Sequence, residues 1–391
     1  MSLRSFFLVL ALLVALASLT ALRIGAPELF DADAVSSDYM IFHLVGELAA
    51  VGRVSEAYDP VSFKAFLQAS TGSAVFMTWT YPPHFNLPLQ ALAPLGAGWG
   101  YLVFMLASLA LFVAALFRLG REAAIWAIAL SLPAMVMSLL TGQNGLLTAG
   151  LMALFASLAL APVSARAGLV LGLLTYKPHL GLGLGLVALL RGGWRMVTVA
   201  SLTALGLALL AALVYGADVW IAFLEGVKTS GTLLQAGEYK FARMVTPFTL
   251  LASLGLETSV AMLAHLAWVF ISFGALTYAC LKGWRMAHVI SLAILAGTTL
   301  SPYAYDYDLC VLAPALALSY PALQGLTQGW RIALGAAVLL ASGYGLVTAL
   351  FAGWLGDGFG LVSLGGIGLL TTALICFYAM VKSEVAQQQN A

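Results

Sequence analysis

Apolar residues fill most of the chain in runs long enough to cross a bilayer, and polar residues gather between them. A transmembrane helix needs about 17–25 predominantly apolar residues. Such runs predict spans near 5–24, 99–118, 122–140, 143–161, 196–215, 258–281, 286–301, 308–322, 331–351 and 359–381. The first is read as a retained span, because it exceeds the roughly 7–15-residue apolar core of a signal peptide. The region 167–190 differs. Two short apolar runs flank Lys177-Pro178-His179, and Pro178 removes a helical hydrogen bond. That pattern predicts a broken hairpin of two short helices meeting at a polar elbow. The stretch 84–96, with Pro88 and Pro94, is also short for a perpendicular crossing. The fold class expected is an all-α polytopic membrane protein, one integral-membrane domain over 1–391 with about 10–13 transmembrane helices.

Two polar stretches are too long to be turns, about 25–83 and about 216–246. Loops beyond about 12–15 residues are usually functional or disordered. The first carries helical patterning. Met40, Ile41, Leu44, Val45, Leu48 and Val51 fall on one face, with Ser36, Ser37 or Asp38 to cap the start and Gly52 to end it. An apolar-faced helix beside a membrane suits lying at its interface. Asp59 as cap and Pro60 at the first helical position predict a second helix, stopping near Thr71-Gly72.

Composition narrows the class. Hydrophobic residues make up 62% of the 391, and charged residues 8%. Soluble domains average about 25% charged, so a soluble globular enzyme, a disordered chain and a nucleic-acid binder with a basic surface are excluded. Cys280, Cys310 and Cys376 are odd in number and widely spaced, which suits buried packing rather than disulfides or a metal site.

The net charge of +1 hides an asymmetry. Orientation follows the basic residues of short loops. With the N-terminus cytoplasmic, that side holds ten basic residues and two acids, Glu122 and Glu384, while the other side holds seven basic residues and fourteen acids. Both termini are then cytoplasmic, in a bacterial-type inner membrane, and both long loops are extracytoplasmic.

The polar candidates fall on that outer face. Asp31, Asp33 and Asp38 open the first loop, where a carboxylate can act as base, bind a cation or cap a helix. Tyr81-Pro82-Pro83-His84 closes it and brings His84 to the interface. Thr141-Gly142-Gln143-Asn144 forms a turn whose amides, Gln143 and Asn144, suit hydroxyl groups. Lys177 stands in an otherwise apolar stretch, and a membrane-embedded ion usually faces a cavity or a partner. Tyr303, Asp306 and Asp308 lie at a span end, as interfacial tyrosines and as caps or ligands for hydroxyls. Lys240 and Arg243 in the second loop suit an anionic lipid head group.

The ordered pieces "SSDYMIFHLVGELAAVGRVSEAYD", "YPPHFNLPLQALAPL", "TGQNGLLTAGL", "AGLVLGLLTYKPHLGLGLGLVALLRGGWR", "TPFTLLASLGL" and "SPYAYDYDLCVLAPAL" resemble glycosyltransferase family 87 over roughly residues 1–325. These are polytopic GT-C fold enzymes whose best-known members are polyprenyl-phosphate-mannose-dependent mannosyltransferases. The resemblance implies a hexosyltransferase working with inversion on the outer face. Its partners would be a polyprenyl-phosphate sugar donor, a lipid or glycan acceptor and membrane lipids. Asp38 matches the general base, with Asp31 and Asp33 as fallbacks, and Lys177 with Arg243 or Lys240 would meet the leaving phosphate. No cofactor and no metal is implied. Asp31-Ala32-Asp33 and Asp306-Tyr307-Asp308 match a DxD spacing that is common by chance. The family's segment after the Ser-Pro pair often carries a histidine, where this chain has Tyr303, so the partner of the base stays open, with His84 or His43 as candidates.

Three rival readings compete. A secondary transporter or lipid flippase suits the broken hairpin, though no internal repeat is apparent. A cell-surface polysaccharide polymerase or ligase suits the large outer loops, though the second loop has one arginine. A structural subunit leaves the shared face of the polar clusters unexplained.

Overall fold

The computed structural model describes residues 2–29, 38–72, 78–161, 164–351 and 361–389. Helices follow one another as α1 (Leu3–Gly25), α2 (Asp38–Ala50), α3 (Pro60–Thr71), α4 (Asn86–Leu92), α5 (Gly96–Phe117), α6 (Arg121–Thr141), α7 (Gly145–Ala159), α8 (Ala167–Leu173) and α9 (Pro178–Val187). They continue as α10 (Trp194–Tyr215), α11 (Asp218–Gln235), α12 (Pro247–Ser253), α13 (Thr258–Leu281), α14 (Met286–Thr298), α15 (Leu312–Gln324), α16 (Gln328–Leu350) and α17 (Gly365–Gln389). The protein is all-helical and polytopic. Among the described residues seven helical runs are long and apolar enough to span a membrane: α1, Pro83–Phe117, α6, α10, α13, α16 and α17.

Burial sorts these helices. On α10 only Met196 and Ala211 are buried, and Leu202, Leu205, Leu209 and Leu213 stand exposed. Bare leucines on a helix of this length mark a lipid-facing surface. The apolar runs at 286–301 and 308–322 behave differently. In α14 every residue from His288 to Thr298 is buried. At 1.5 Å per residue its 13 residues reach about 20 Å, short of the ~30 Å hydrocarbon core. The all-round apolar character of α14 reflects enclosure by other helices: it packs against α9, α13 and α15.

The helix at 38–50 is enclosed rather than laid along a surface. Of its expected apolar face Ile41, Leu44, Val45 and Leu48 are buried and Val51, just past its end, is 67% exposed, while Tyr39 and Phe42 are buried as well. The reason is aromatic packing. Tyr39 meets Tyr101 at 5.4 Å edge to face, and Phe42 sits among Trp79, Tyr81, Phe85 and Phe104 at 5.6–6.0 Å. Large rings bury the most area and prefer such geometry, so they widen the buried face of α2 beyond the aliphatic stripe. The following helix starts as its sequence suggests: the Asp59 carboxylate accepts from the Ser62 N–H, Pro60 stands in the first turn, and Gly72 ends the helix at φ +70°.

Between α8 and α9 the chain turns through Leu174–Tyr176, with Lys177 at φ −128° directly before Pro178. The turn is locked from inside. The Tyr176 and Thr148 hydroxyls are 2.5 Å apart, and the Tyr176 ring stacks on Phe85 at 4.9 Å. The elbow is therefore wedged between α7 and the turn Pro83–Phe85.

Candidate functional site

The polar residues come together through close backbone approaches. Gly142 ends α6 in the left-handed region at φ +71°, and a Cβ there would lie 2.4 Å from Tyr39 Cβ. Only glycine combines that φ with that approach, and the result sets Gln143 against the start of α2. A Cβ on Gly145 would stand 2.0 Å from the Tyr307 carbonyl oxygen. This contact lays the start of α7 along the segment 305–308.

Asp38, in the first turn of α2, is partly buried. Its Oδ2 accepts a hydrogen bond from Gln143 Nε2 at 3.0 Å, and Gln143 Oε1 accepts one from the Tyr81 hydroxyl at 3.1 Å. Burial pushes the Asp38 carboxyl above its usual carboxylate range. Arg243 and the Gln143 hydrogen bond pull it down, Asp306 pushes it up and Lys177 pulls it down, without cancelling the effect of burial. Loss of hydration disfavours the charged form, whatever neighbours restore in part.

Two ion pairs flank Asp38. Lys177 Nζ lies 2.5 Å from Asp308 Oδ1, with both side chains under a tenth exposed. Arg243 binds Asp306 through two bonds, Nε to Oδ2 at 3.1 Å and Nη2 to Oδ1 at 2.9 Å. Such bidentate pairing fixes the guanidinium plane. The Val245 N–H donates to the Ala304 carbonyl at 3.0 Å, which holds the second long loop beside the 303–308 segment. Aromatic rings fill the space between the charges. The Lys177 ammonium stands 5.7 Å above Tyr81 and 5.4 Å above Tyr307. Tyr305 and Tyr307 stack at 5.4 Å beneath Arg243.

The remaining candidates lie at the edge of this centre or outside it. Asp31 and Asp33 fall outside the described residues. Asn144 is wholly buried, beside the Tyr81 ring system. Tyr303 belongs to a separate hydroxyl cluster with Ser230, which its hydroxyl contacts, and with Tyr239 and Thr78. Lys240 is exposed at the surface of the second loop. His84 is buried, 3.4 Å from the Thr175 hydroxyl, and stacks on Trp220 at 6.3 Å. It lines a cavity of about 230 Å³ with Pro82, Thr175, Pro178, Ala208 and Trp220. Pro82 and Pro178, which line it, each directly follow a residue of the charged centre, Tyr81 and Lys177. His43 pairs with Glu47, at 3.4 Å, on its own helix.

The sequence reading did not contain the pairing of Asp306 and Asp308 with Arg243 and Lys177. It also passed over Tyr81 and Tyr307 as partners. The one signal for Tyr307 was the density of tyrosine beside aspartate in Tyr303-Ala304-Tyr305-Asp306-Tyr307-Asp308.

A polytopic helical scaffold that gathers three carboxylates and two cations, buried or partly buried, at one locus is an integral membrane protein with a built polar centre. A family model for glycosyltransferase family 87 matches residues 79–302. That is more than half of the chain, and the chain belongs to this family, which makes it a membrane glycosyltransferase. No curated protein and no solved structure matches it. The matched span takes in Tyr81, Gln143, Lys177 and Arg243. Asp38, Asp306 and Asp308 lie outside it and join the centre through the contacts above.

Proposed function

We propose that the protein is a GT-C type inverting transferase that takes a hexose, most simply mannose, from a polyprenyl-phosphate donor. It passes the sugar to a hydroxyl of a lipid or glycan acceptor at the extracytoplasmic face. The observation that carries this reading is the meeting of one carboxylate of raised proton affinity, Asp38, with two cations already held by their own acids.

The chemistry follows from charge. The Asp38 carboxylate takes the acceptor hydroxyl proton as that oxygen attacks the anomeric carbon. The bond from that carbon to the phosphate oxygen breaks, and the lipid phosphate leaves with the electron pair. One negative charge thereby passes from Asp38 to the leaving phosphate, and the total charge of the centre is unchanged. Lys177 and Arg243 meet the developing charge. Because Asp308 and Asp306 hold them in place, no reorganisation is needed at the moment of reaction. The guanidinium has five N–H donors, and Asp306 engages two of them.

The cavity supports a lipid-linked donor. Its lining includes Pro178, which directly follows Lys177, is mainly apolar, and takes in Ala204 and Ala208 of the lipid-facing α10. A hydrocarbon chain entering there would bring its phosphate to the charged centre. The distribution of basic residues supports the placement of the centre on the outer face.

The test uses the full-length protein in vesicles, with radiolabelled polyprenyl-phosphate mannose and a membrane extract as acceptor. Transfer of label to a new product is expected, and its loss in Asp38→Asn. Proton- or sodium-coupled uptake without any glycosyl product would make the protein a transporter instead.

A further inference from the structure

Among the described residues the Asp38 carboxylate is tied to the rest of the centre through one side-chain hydrogen bond, and that bond comes from an amide. We infer that Tyr81 and Gln143 form a positioning relay, which aims the Asp38 carboxylate and whose hydrogen-bond directions depend on whether Asp38 carries a proton. The inference rests on the reading of Asp38 as base for its catalytic meaning, and on geometry alone for its existence.

An ionised carboxylate can only accept hydrogen bonds. The amide nitrogen of Gln143 must therefore face Asp38 Oδ2, and its oxygen must face away. That oxygen meets the Tyr81 hydroxyl at 3.1 Å, so Tyr81 must donate. The directions of both bonds follow from the charge on Asp38. Tyr81 is itself held: its ring lies 4.7 Å from Phe85, 4.9 Å from Trp79 and 5.6 Å from Phe42. The Ser138 hydroxyl donates to the Gln143 carbonyl at 2.9 Å, which anchors the backbone from which the amide extends. Aromatic packing thus fixes one end of the relay and the α6–α7 turn fixes its middle. Of the two carboxylate oxygens Gln143 takes Oδ2, which directs Oδ1 as the oxygen to receive the acceptor proton.

A proton received on Oδ1 leaves Oδ2 an acceptor; once the acid carries it on Oδ2, Asp38 donates on the side that Gln143 faces. The amide can then turn over, accepting from Asp38 through Oε1 and donating to the Tyr81 oxygen through Nε2. Other groups acting on Asp38 are Arg243 and Lys177, which favour its ionised form, and Asp306, which opposes it. Tyr305 and Tyr307 face it as neutral phenols, within electrostatic reach. None of these changes its hydrogen-bond direction with the state of Asp38, whereas Gln143 does.

The experiment titrates Asp38 directly. Infrared spectra of the full-length protein in vesicles are recorded against pH, and the Asp38 carboxyl band is assigned by its absence in Asp38→Asn. Tyr81→Phe keeps the ring packing and removes the donor, so the amide orientation that supports the carboxylate loses its anchor. The band should titrate higher by on the order of one pH unit, the size of one lost hydrogen bond. Gln143→Met removes both amide atoms at similar volume and should move the midpoint in the same direction. It carries the test should Tyr81→Phe fail to insert. An Asp38 midpoint unmoved in the variant that inserts would overturn the relay. Labelled-mannose transfer by Asp38→Asn reports separately on the base assignment. If that variant stays active while the midpoints still shift, the relay stands and the base reading falls.

Discussion

Lys177 and Asp308 stand 131 residues apart in the chain, yet their Nζ and Oδ1 atoms lie 2.5 Å apart in a region where both are buried. The elbow between α8 and α9 brings the cation in, and the segment between α14 and α15 brings the acid. Neither charge is tolerable there alone. Breaking a buried pair from one side leaves an uncompensated ion and costs about 3–5 kcal/mol. Asp308→Ala is therefore expected to lower thermal stability in detergent markedly. The double variant Lys177→Met with Asp308→Leu should recover most of that stability but not glycosyl transfer. Recovery of transfer as well would mean that the pair is scaffolding only.

Asp38→Asn keeps the shape of the side chain and removes its basicity. Transfer of labelled mannose should fall by about 10²–10⁴-fold, the usual contribution of a general base, with folding retained. Near-wild-type turnover would remove Asp38 from the mechanism.

The pH dependence follows from burial. A group whose carboxyl lies above the ordinary aspartate range is ionised only at correspondingly higher pH. Activity that needs the carboxylate should be full above that point and fall away as pH drops through it, well before a solvated aspartate would protonate. Stability has the opposite sign. Between the unfolded and folded values the folded state binds more protons, so stability declines as pH rises through this window. A rate profile flat from neutrality down to the ordinary aspartate value would contradict both statements.

Arg243 offers a separate measurement. Arg243→Lys keeps the charge and loses the two-bond fork onto Asp306. Arg243→Ala should lower the turnover number by about 10²-fold, with the lysine variant between it and wild type. A lysine variant indistinguishable from wild type would show that charge alone matters here.

The cavity predicts a chain-length effect. Ala208→Trp places a large ring where α10 borders it. The KM for a long-chain polyprenyl-phosphate sugar should rise by about tenfold or more, since each buried methylene contributes about 0.8 kcal/mol. The KM for a short-chain analogue should change little. Equal effects on both donors would place the chain elsewhere.

Much of the scaffold was legible because local rules govern it. The Asp59-Pro60 start and Gly72 end of α3 depend on one turn of backbone, and the elbow at Lys177-Pro178 on a single proline. The apolar runs read correctly as membrane helices where they are long. Those at 286–301 and 308–322 carry the same composition but form shorter helices enclosed by others, since protein and lipid are equally apolar surroundings. On α2 the periodicity found the enclosed face, with Ile41, Leu44, Val45 and Leu48 buried, but not its width, since Tyr39 and Phe42 are buried too.

The sequence by itself determined the class of the protein and the list of residues able to do chemistry, because hydropathy and charge are properties of single residues and short windows. It did not determine who partners whom. Asp306 and Asp308 read as caps or hydroxyl ligands until the fold set Arg243 and Lys177 against them. Gln143 read as a turn amide until Gly142 allowed the approach that puts it on Asp38. Hydrogen bonds and ion pairs act over about 3 Å, and only the packing of helices far apart in the chain brings such atoms that close.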